Sequence, residues 1–366
     1  MNIIVFLIIL GVLVFVHECG HFIVAKKSGI RVDEFAVGFP PRLWSKRVGE
    51  TVYALNALPL GGYVKIFGEN AESLEKADGT AETPERSFAH KSRLIQAAVI
   101  SAGVTMNIIF AWLVISIGLM FGMPTAVGVT DQHTVSDAHV IINSVVADSP
   151  AEQAGLKAGD TIVALESPTE VLNTNVTPDT VHNFVTASTE PLTLSYKRGA
   201  ETLSTSLTPA EGIVPDGAVI GITMDMVGTL RLSPLRAVTE GAIRTALLFR
   251  AVVVGIYSFF HDLFIGEADL SSVAGPVGMV ALVGDAKDLG FAYLVYFTAL
   301  LSINLAVINL IPFPALDGGR LVVIAIEAIR RKALPPSLIQ NVNIVGFALL
   351  MLLMLVVTFH DILKLF

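Results

Sequence analysis

Long apolar runs, each close to the length that crosses a bilayer, alternate along this chain with polar stretches of two kinds. Residues 3–16 carry no charge, and with the stretch up to Ala25 they form a run that ends at Lys26 and Lys27. A spanning helix needs about 20 such residues. Residues 94–121 and 342–359 also qualify, and 291–311 is apolar apart from Thr298, Ser302, Asn304 and Asn309. Residues 237–264 carry Glu240, Arg244, Arg250, His261 and Asp262, so this segment reads as an interfacial or partly embedded helix. The pattern predicts a multi-pass α-helical membrane protein with four transmembrane helices. The N-terminal run has no basic leader and no small-residue cleavage site, so it reads as a retained span and not as a signal peptide.

The polar stretches change period. Within 32–68, residues 52–58 are strand-like, Gly61-Gly62 marks a turn and 63–67 alternate, which predicts a small membrane-associated β unit. Gly38-Phe39-Pro40-Pro41 reads as a loop inside it, and 69–90 as a solvated linker. Residues 124–228 read as an independent domain of short strands. There, 140–146 leads into Ser149-Pro150-Ala151-Glu152, then Gly155-Leu156-Lys157-Ala158-Gly159-Asp160, then 161–165. That order of strand, short helix and Gly-x-x-x-Gly-Asp turn resembles the PDZ family, with a second helix at 179–186 and strands at 192–197 and 201–207. The chain thus divides into 1–121 with the β unit, 124–228, a connecting 234–290 with an interfacial helix and a Gly-Pro-Val-Gly loop at 275–278, and 291–366 with the last two spans.

Charge sets the orientation. Residues 26–93 hold eleven Lys/Arg, whereas 122–235 hold four against thirteen acids. By the bias of basic residues toward the cytoplasm, 26–93 and 312–341 lie inside and the PDZ-like domain outside. The composition agrees: 53% hydrophobic and 15% charged residues leave room for several spans and one soluble insert. A net charge of -8 argues against a nucleic-acid surface. The single Cys19 excludes an internal disulfide, and it points away from the face of its neighbouring histidines.

Chemistry concentrates at two points. His17-Glu18-Cys19-Gly20-His21 lies inside the first span, and residues four apart share a helix face, so His17 and His21 can present two imidazoles to one metal. Glu18 then stands on the neighbouring flank, placed to act as general base on water. Two buried histidines satisfied by neighbours would be the plainer reading. Ionisable groups at a helix centre cost about 2.5–3.5 kcal/mol each, however, and three within five residues call for a partner. A catalytic zinc site takes three protein ligands. The third is sought at Asn309-Leu310-Ile311-Pro312-Phe313-Pro314-Ala315-Leu316-Asp317-Gly318-Gly319, where Pro312 and Pro314 break the helix at the cytoplasmic end of its span. Asp317 followed by two glycines also fits an acidic helix stop with a glycine cap. If 237–264 does not cross, Asp317 falls on the same side as His17 and His21, whereas His360 and Asp361 fall at the outer end of the last span.

In these motifs and their order, the chain resembles the site-2 protease family of intramembrane zinc metalloproteases, in its bacterial RseP-like branch. The resemblance rests on the HECGH span, Gly61-Gly62-Tyr63-Val64-Lys65, the PDZ-like domain, Gly275-Pro276-Val277-Gly278, and Asn-x-x-Pro-x-Pro-x-Leu-Asp-Gly-Gly at 309–319. It implies Zn2+ held by His17, His21 and Asp317, with Glu18 as the catalytic glutamate. It also implies that Asn309, Pro312 and Pro314 hold the substrate backbone and that the β unit pairs with an extended substrate. Partners would be membrane lipids and single-pass transmembrane substrates already trimmed by another protease, in a bacterial inner membrane. The chain departs from RseP in having one PDZ-like unit in place of two, and it has Val104 where many members have proline. A non-catalytic scaffold with a vestigial metal site is the rival, and the intact Glu18 speaks against it. A transporter would be expected to show repeated halves, and none is visible.

Overall fold

The structure, a computed structural model, describes residues 1–69, 84–126, 135–188, 190–199, 201–214, 217–267 and 274–363. Most of the expected linker, 70–83, lies outside them. The chain folds as two units. One comprises 1–115, 238–283 and 297–366, the other 116–237 and 284–296.

In the first unit, helix α1 (Asn2–Lys27) precedes a pair of long strands, β1 (Val32–Val48) and β2 (Thr51–Ile66). Helix α2 (Arg93–Phe121) follows and runs on into the second unit. The strands are antiparallel and pair twice over: Phe35 faces both Tyr53 and Val64, and Ala36 faces both Ala54 and Tyr63. The first half of β1 therefore lies between two segments of β2, while 42–48 pairs onto the outer side of 51–56. The loop expected at Gly38–Pro41 is a bend within β1. Gly38 turns the strand at φ +83, and Asn56 Nδ2 donates to its carbonyl at 2.9 Å. At the turn between the strands, Glu50 accepts from Lys26 at 2.5 Å and from Arg86 at 2.7 Å. These bonds tie the hairpin to the end of α1 and hold the Glu50 carboxyl below its ordinary range, with the Lys26 hydrogen bond the main cause.

The second unit contains a sheet with strand order β3 (Met123–Ala126), β11 (Ile222–Leu230), β4 (Val135–Val145), β5 (Thr161–Glu166), β7 (Leu192–Arg198) and β8 (Glu201–Leu207). Strand β6 (Val171–Leu172) pairs with β5, and β9 (Ala210–Val214) with β10 (Gly217–Val219). Two short helices attach to the sheet. Helix α3 (Pro150–Gln153) is capped by Ser149, and α4 (Pro178–Ala187) by a Thr177/Thr180 capping box. Val140, Ile142, Leu165, Val181, Leu192 and Leu194 form the core. In the Gly-Asp turn, buried Asp160 accepts the Lys157 backbone N–H at 2.8 Å and two Arg198 bonds at 2.7 Å. Strand β11, which lies between β3 and β4, has no counterpart in the sequence reading, because its apolar positions are interrupted by Thr223, Asp225 and Gly228.

The remaining helices are α5 (Pro234–Ile265), α6 (Pro276–Asp288), α7 (Phe291–Leu310), α8 (Asp317–Arg330) and α9 (Pro336–Leu363). Among the described residues, five helices are long and apolar enough to cross a membrane: α1, α2, α5, α7 and α9. The expected count of four set α5 aside for its charges, yet by length and composition α5 qualifies. The loop expected at 275–278 is instead the first turn of α6, whose donors are satisfied by buried Asp361 at the far end of α9, accepting backbone N–H bonds from Gly275 (3.1 Å) and Gly278 (2.8 Å).

Candidate metal centre

One turn of α1 separates His17 and His21, and both rings are buried. Their Nε2 atoms lie 3.1 Å apart. The rings meet edge to face with centroids 4.8 Å apart. Glycines make this possible. A Cβ at Gly103 of α2 would stand 2.4 Å from His21 Nε2 and 2.7 Å from His17 Nε2, so only glycine leaves room for both rings. On the opposing helix, a Cβ at Gly20 would strike the Ala102 carbonyl at 2.3 Å. Small residues thus bring α1 and α2 to backbone contact, as packed membrane helices require. His21 Nδ1 is 2.8 Å from the Val99 carbonyl, which fixes the proton on Nδ1 and leaves the Nε2 lone pair free.

Asp317 approaches from the other side. Helix α7 ends at Leu310, and Pro312 and Pro314 prevent it from continuing. The loop folds back tightly. A Cβ at Gly318 would meet the Ile311 carbonyl at 2.2 Å, and one at Gly319 would meet the Phe313 carbonyl at 2.2 Å. Ala315 takes a left-handed φ of 71, and Gly346 on α9 leaves the space that Pro314 occupies. Asp317 then opens α8. That helix is seated by Ile324 in a cluster with Ala25, Val32, Phe88 and Ile100, and by buried Glu327, which receives Arg93 at 2.7 Å.

The result is a triangle. Asp317 Oδ2 lies 3.1 Å from His17 Nε2 and 3.4 Å from His21 Nε2. Tetrahedral bonds of about 2.0–2.1 Å give ligand-to-ligand edges of roughly 3.3 Å. Asp317 Oδ2 is buried and accepts no hydrogen bond, so it is an orphan that a cation would satisfy. The three side chains fit zinc in number, chemistry and spacing. Glu18, half-buried, stands on the flank of the triangle beneath β2, where a Cβ at Gly62 would come within 3.5 Å of its Cγ. Near the same site, Glu69 is pushed up by burial, opposed chiefly by Arg320, 3.6 Å away.

The structure therefore brings His17, His21 and Asp317 together. Asn309, Pro312 and Pro314 belong to the segment that carries Asp317. Asn309 is half-buried with its Nδ2 donating to Leu305 O at 3.0 Å, Pro312 is exposed, and Pro314 packs on Gly346.

The profile described as peptidase family M50 matches residues 5–353. The chain belongs to this family. A Clostridium perfringens protein provisionally named a zinc metalloprotease is 37% identical, covering 99% of this chain and 98% of the relative. The zinc metalloprotease RasP of Geobacillus kaustophilus is 32% identical over 100% of this chain and 98% of its own length. A second RasP, from Shouchella clausii, is 31% identical at 99% and 98%. As an M50, or site-2 type, member the chain is a metallopeptidase and a membrane-integral protein of the RseP-like branch.

Several residues of this M50 centre carry no motif of their own: Gly103, Asn107, Ser302 and Gly346. Gly103 and Asn107 share one face of an apolar span, and that spacing of a small and a polar residue was the one signal available for them.

Proposed function

We propose that this chain is a zinc-dependent endopeptidase that cuts single-pass substrates within or beside their membrane-spanning segment. Zinc is its cofactor. The observation that carries the reading is the convergence of His17, His21 and Asp317 on one point, with Glu18 alongside. His17, His21 and Asp317 hold the ion and leave a fourth position open. When bound, zinc polarises the scissile carbonyl and acidifies the attacking water. Glu18 takes the proton from that water and returns it to the leaving amide nitrogen. A helical substrate must unwind to expose its amides, which costs several kcal/mol unless new partners are offered. The β2 segment over Glu18 offers an edge for an extended chain, and Asn309 with the Pro312/Pro314 loop holds the backbone on the other side.

The proposed topology has four crossings, with α5 at the interface. Its ionisable residues support this, and so does the sidedness of Asp317, which a fifth crossing would reverse. The PDZ-like 124–228 then lies outside a bacterial inner membrane and restrains access without touching the chemistry. Substrates would be membrane-tethered regulators trimmed by a first protease, or signal-peptide remnants. The test is a pair of variants assayed on a tethered substrate. Glu18→Gln should keep about one zinc per chain and lose most turnover, whereas Asp317→Asn should lose both. Full zinc occupancy in the Asp317 variant would move the third ligand elsewhere.

A further inference from the structure

Asn107 is fully buried in α2, four residues after Gly103 and so on the same helix face. Its Nδ2 lies 3.3 Å from His17 Nδ1, while its Oδ1 is buried and accepts no hydrogen bond. Both facts point to one rearrangement. A histidine that offers Nε2 to a metal carries its proton on Nδ1, and an amide nitrogen facing that proton is donor against donor. Turning the amide over exchanges its oxygen and nitrogen in nearly the same volume. The turned amide gives His17 Nδ1–H an acceptor and removes the orphaned oxygen.

The neighbouring ring follows the same logic, since His21 Nδ1 already faces the Val99 carbonyl on the same helix. Helix α2 thereby supplies an acceptor to each imidazole, one from its backbone and one from a side chain. Fully buried Ser302 on α7 donates to the Asn107 backbone carbonyl at 2.8 Å. A buried path therefore runs from His17 through Asn107 to the helix that leads into the Asp317 loop.

We infer that Asn107 is a positioning residue of the metal centre. Its side-chain carbonyl accepts the His17 Nδ1–H bond, which fixes both the tautomer and the ring angle. The inference rests on His17 being a metal ligand. It is tested on the purified full-length chain by zinc competition against a chelator and by the absorption spectrum of the cobalt-loaded protein. Asn107→Leu should weaken zinc binding about 10- to 100-fold and shift the cobalt bands. Asn107→Asp keeps an acceptor and should recover most of that loss. Wild-type zinc affinity in the leucine variant would overturn the inference, and so would an aspartate variant no better than leucine, which would mean that the residue only fills space.

Should Asn107→Leu fail to fold, nitrogen-15 histidine spectra of the zinc-loaded wild type decide the matter. A slowly exchanging proton on His17 Nδ1 is expected, and a bare Nδ1 overturns the inference. His17→Ala separates the two levels. If it loses zinc while Asn107→Leu binds normally, only the positioning role fails. If it retains zinc, the ligand assignment beneath that role fails.

Discussion

His17 and His21 stand on an unbroken helix, whereas Asp317 is delivered by a loop that two prolines, two glycines and one left-handed alanine hold in shape. In the first half, regular hydrogen bonding supplies the geometry without strain, and the partner helix leaves room for the rings and turns acceptors such as the Val99 carbonyl toward them. In the second, the backbone must turn within seven residues and then pack against its own carbonyls and against α9. The helical half depends on what is absent opposite it, namely a side chain at Gly103. The loop half depends on contacts that are present, chiefly Pro314 on Gly346.

The sharpest way to break this contrast is Gly103→Leu. The added side chain has to displace both imidazoles, and overpacking of about 1–3 kcal/mol corresponds to roughly 10- to 100-fold weaker zinc binding, read by chelator competition. Unchanged affinity would mean that the rings do not face α2. Gly346→Val attacks the other half, since its Cβ would meet Pro314 Cβ at 2.4 Å. The loop has more freedom to shift than a helix pair, so a smaller loss, near tenfold, is expected at the low end of the same cost range. A loss equal to that of Gly103→Leu would show the loop to be as rigid as the helices.

Ala315→Gly tests the left-handed turn directly. A left-handed residue other than glycine costs about 1–2 kcal/mol, close to the entropy that glycine adds to the unfolded chain. The variant should therefore unfold within about 0.5 kcal/mol of wild type, whereas Ala325→Gly, at an exposed position inside helix α8, should cost about 1 kcal/mol. Equal losses at the two positions would remove the strain from Ala315.

The smallest effect concerns Glu50. Its folded carboxyl lies below the ordinary 4.5. The Lys26 and Arg86 pairing therefore stabilises the fold above that pH and is lost as acidification carries the group through its lowered value. Glu50→Gln should unfold at a lower temperature than wild type near neutral pH, with the difference fading in acid. A gap that does not shrink as the pH is lowered below that value would contradict the pairing.

The sequence revealed the two histidines because a helix repeats every 3.6 residues, so four letters of spacing are enough to define a shared face. The strands β5, β7 and β8 were legible for a related reason: their alternation is local. Strand β11 was not, since Asp225 and Gly228 interrupt its pattern and its place is set by partners about eighty residues away. The double pairing of β1 depends on the bend at Gly38, which read as the start of a loop. Gly103 and Asn107 show no more than a shared helix face, and Gly346 not even that, for the same reason. Each matters through a neighbour remote in the chain, and nothing beside it in sequence announces that neighbour. Asp317 was half legible: proline and glycine marked a break, but only the folded chain sets its carboxylate beside the histidines.

The division of the metal centre between the first helix and the last third of the chain also bears on biogenesis. The histidines leave the ribosome nearly three hundred residues before Asp317 does. At about 5–20 residues per second, that is a delay of roughly 15–60 seconds. During that time the nascent chain exposes two imidazoles and a glutamate to the membrane but lacks the carboxylate proposed to complete the site. The insertion machinery and the newly made proteins around it are thus spared a working protease until the chain is almost finished.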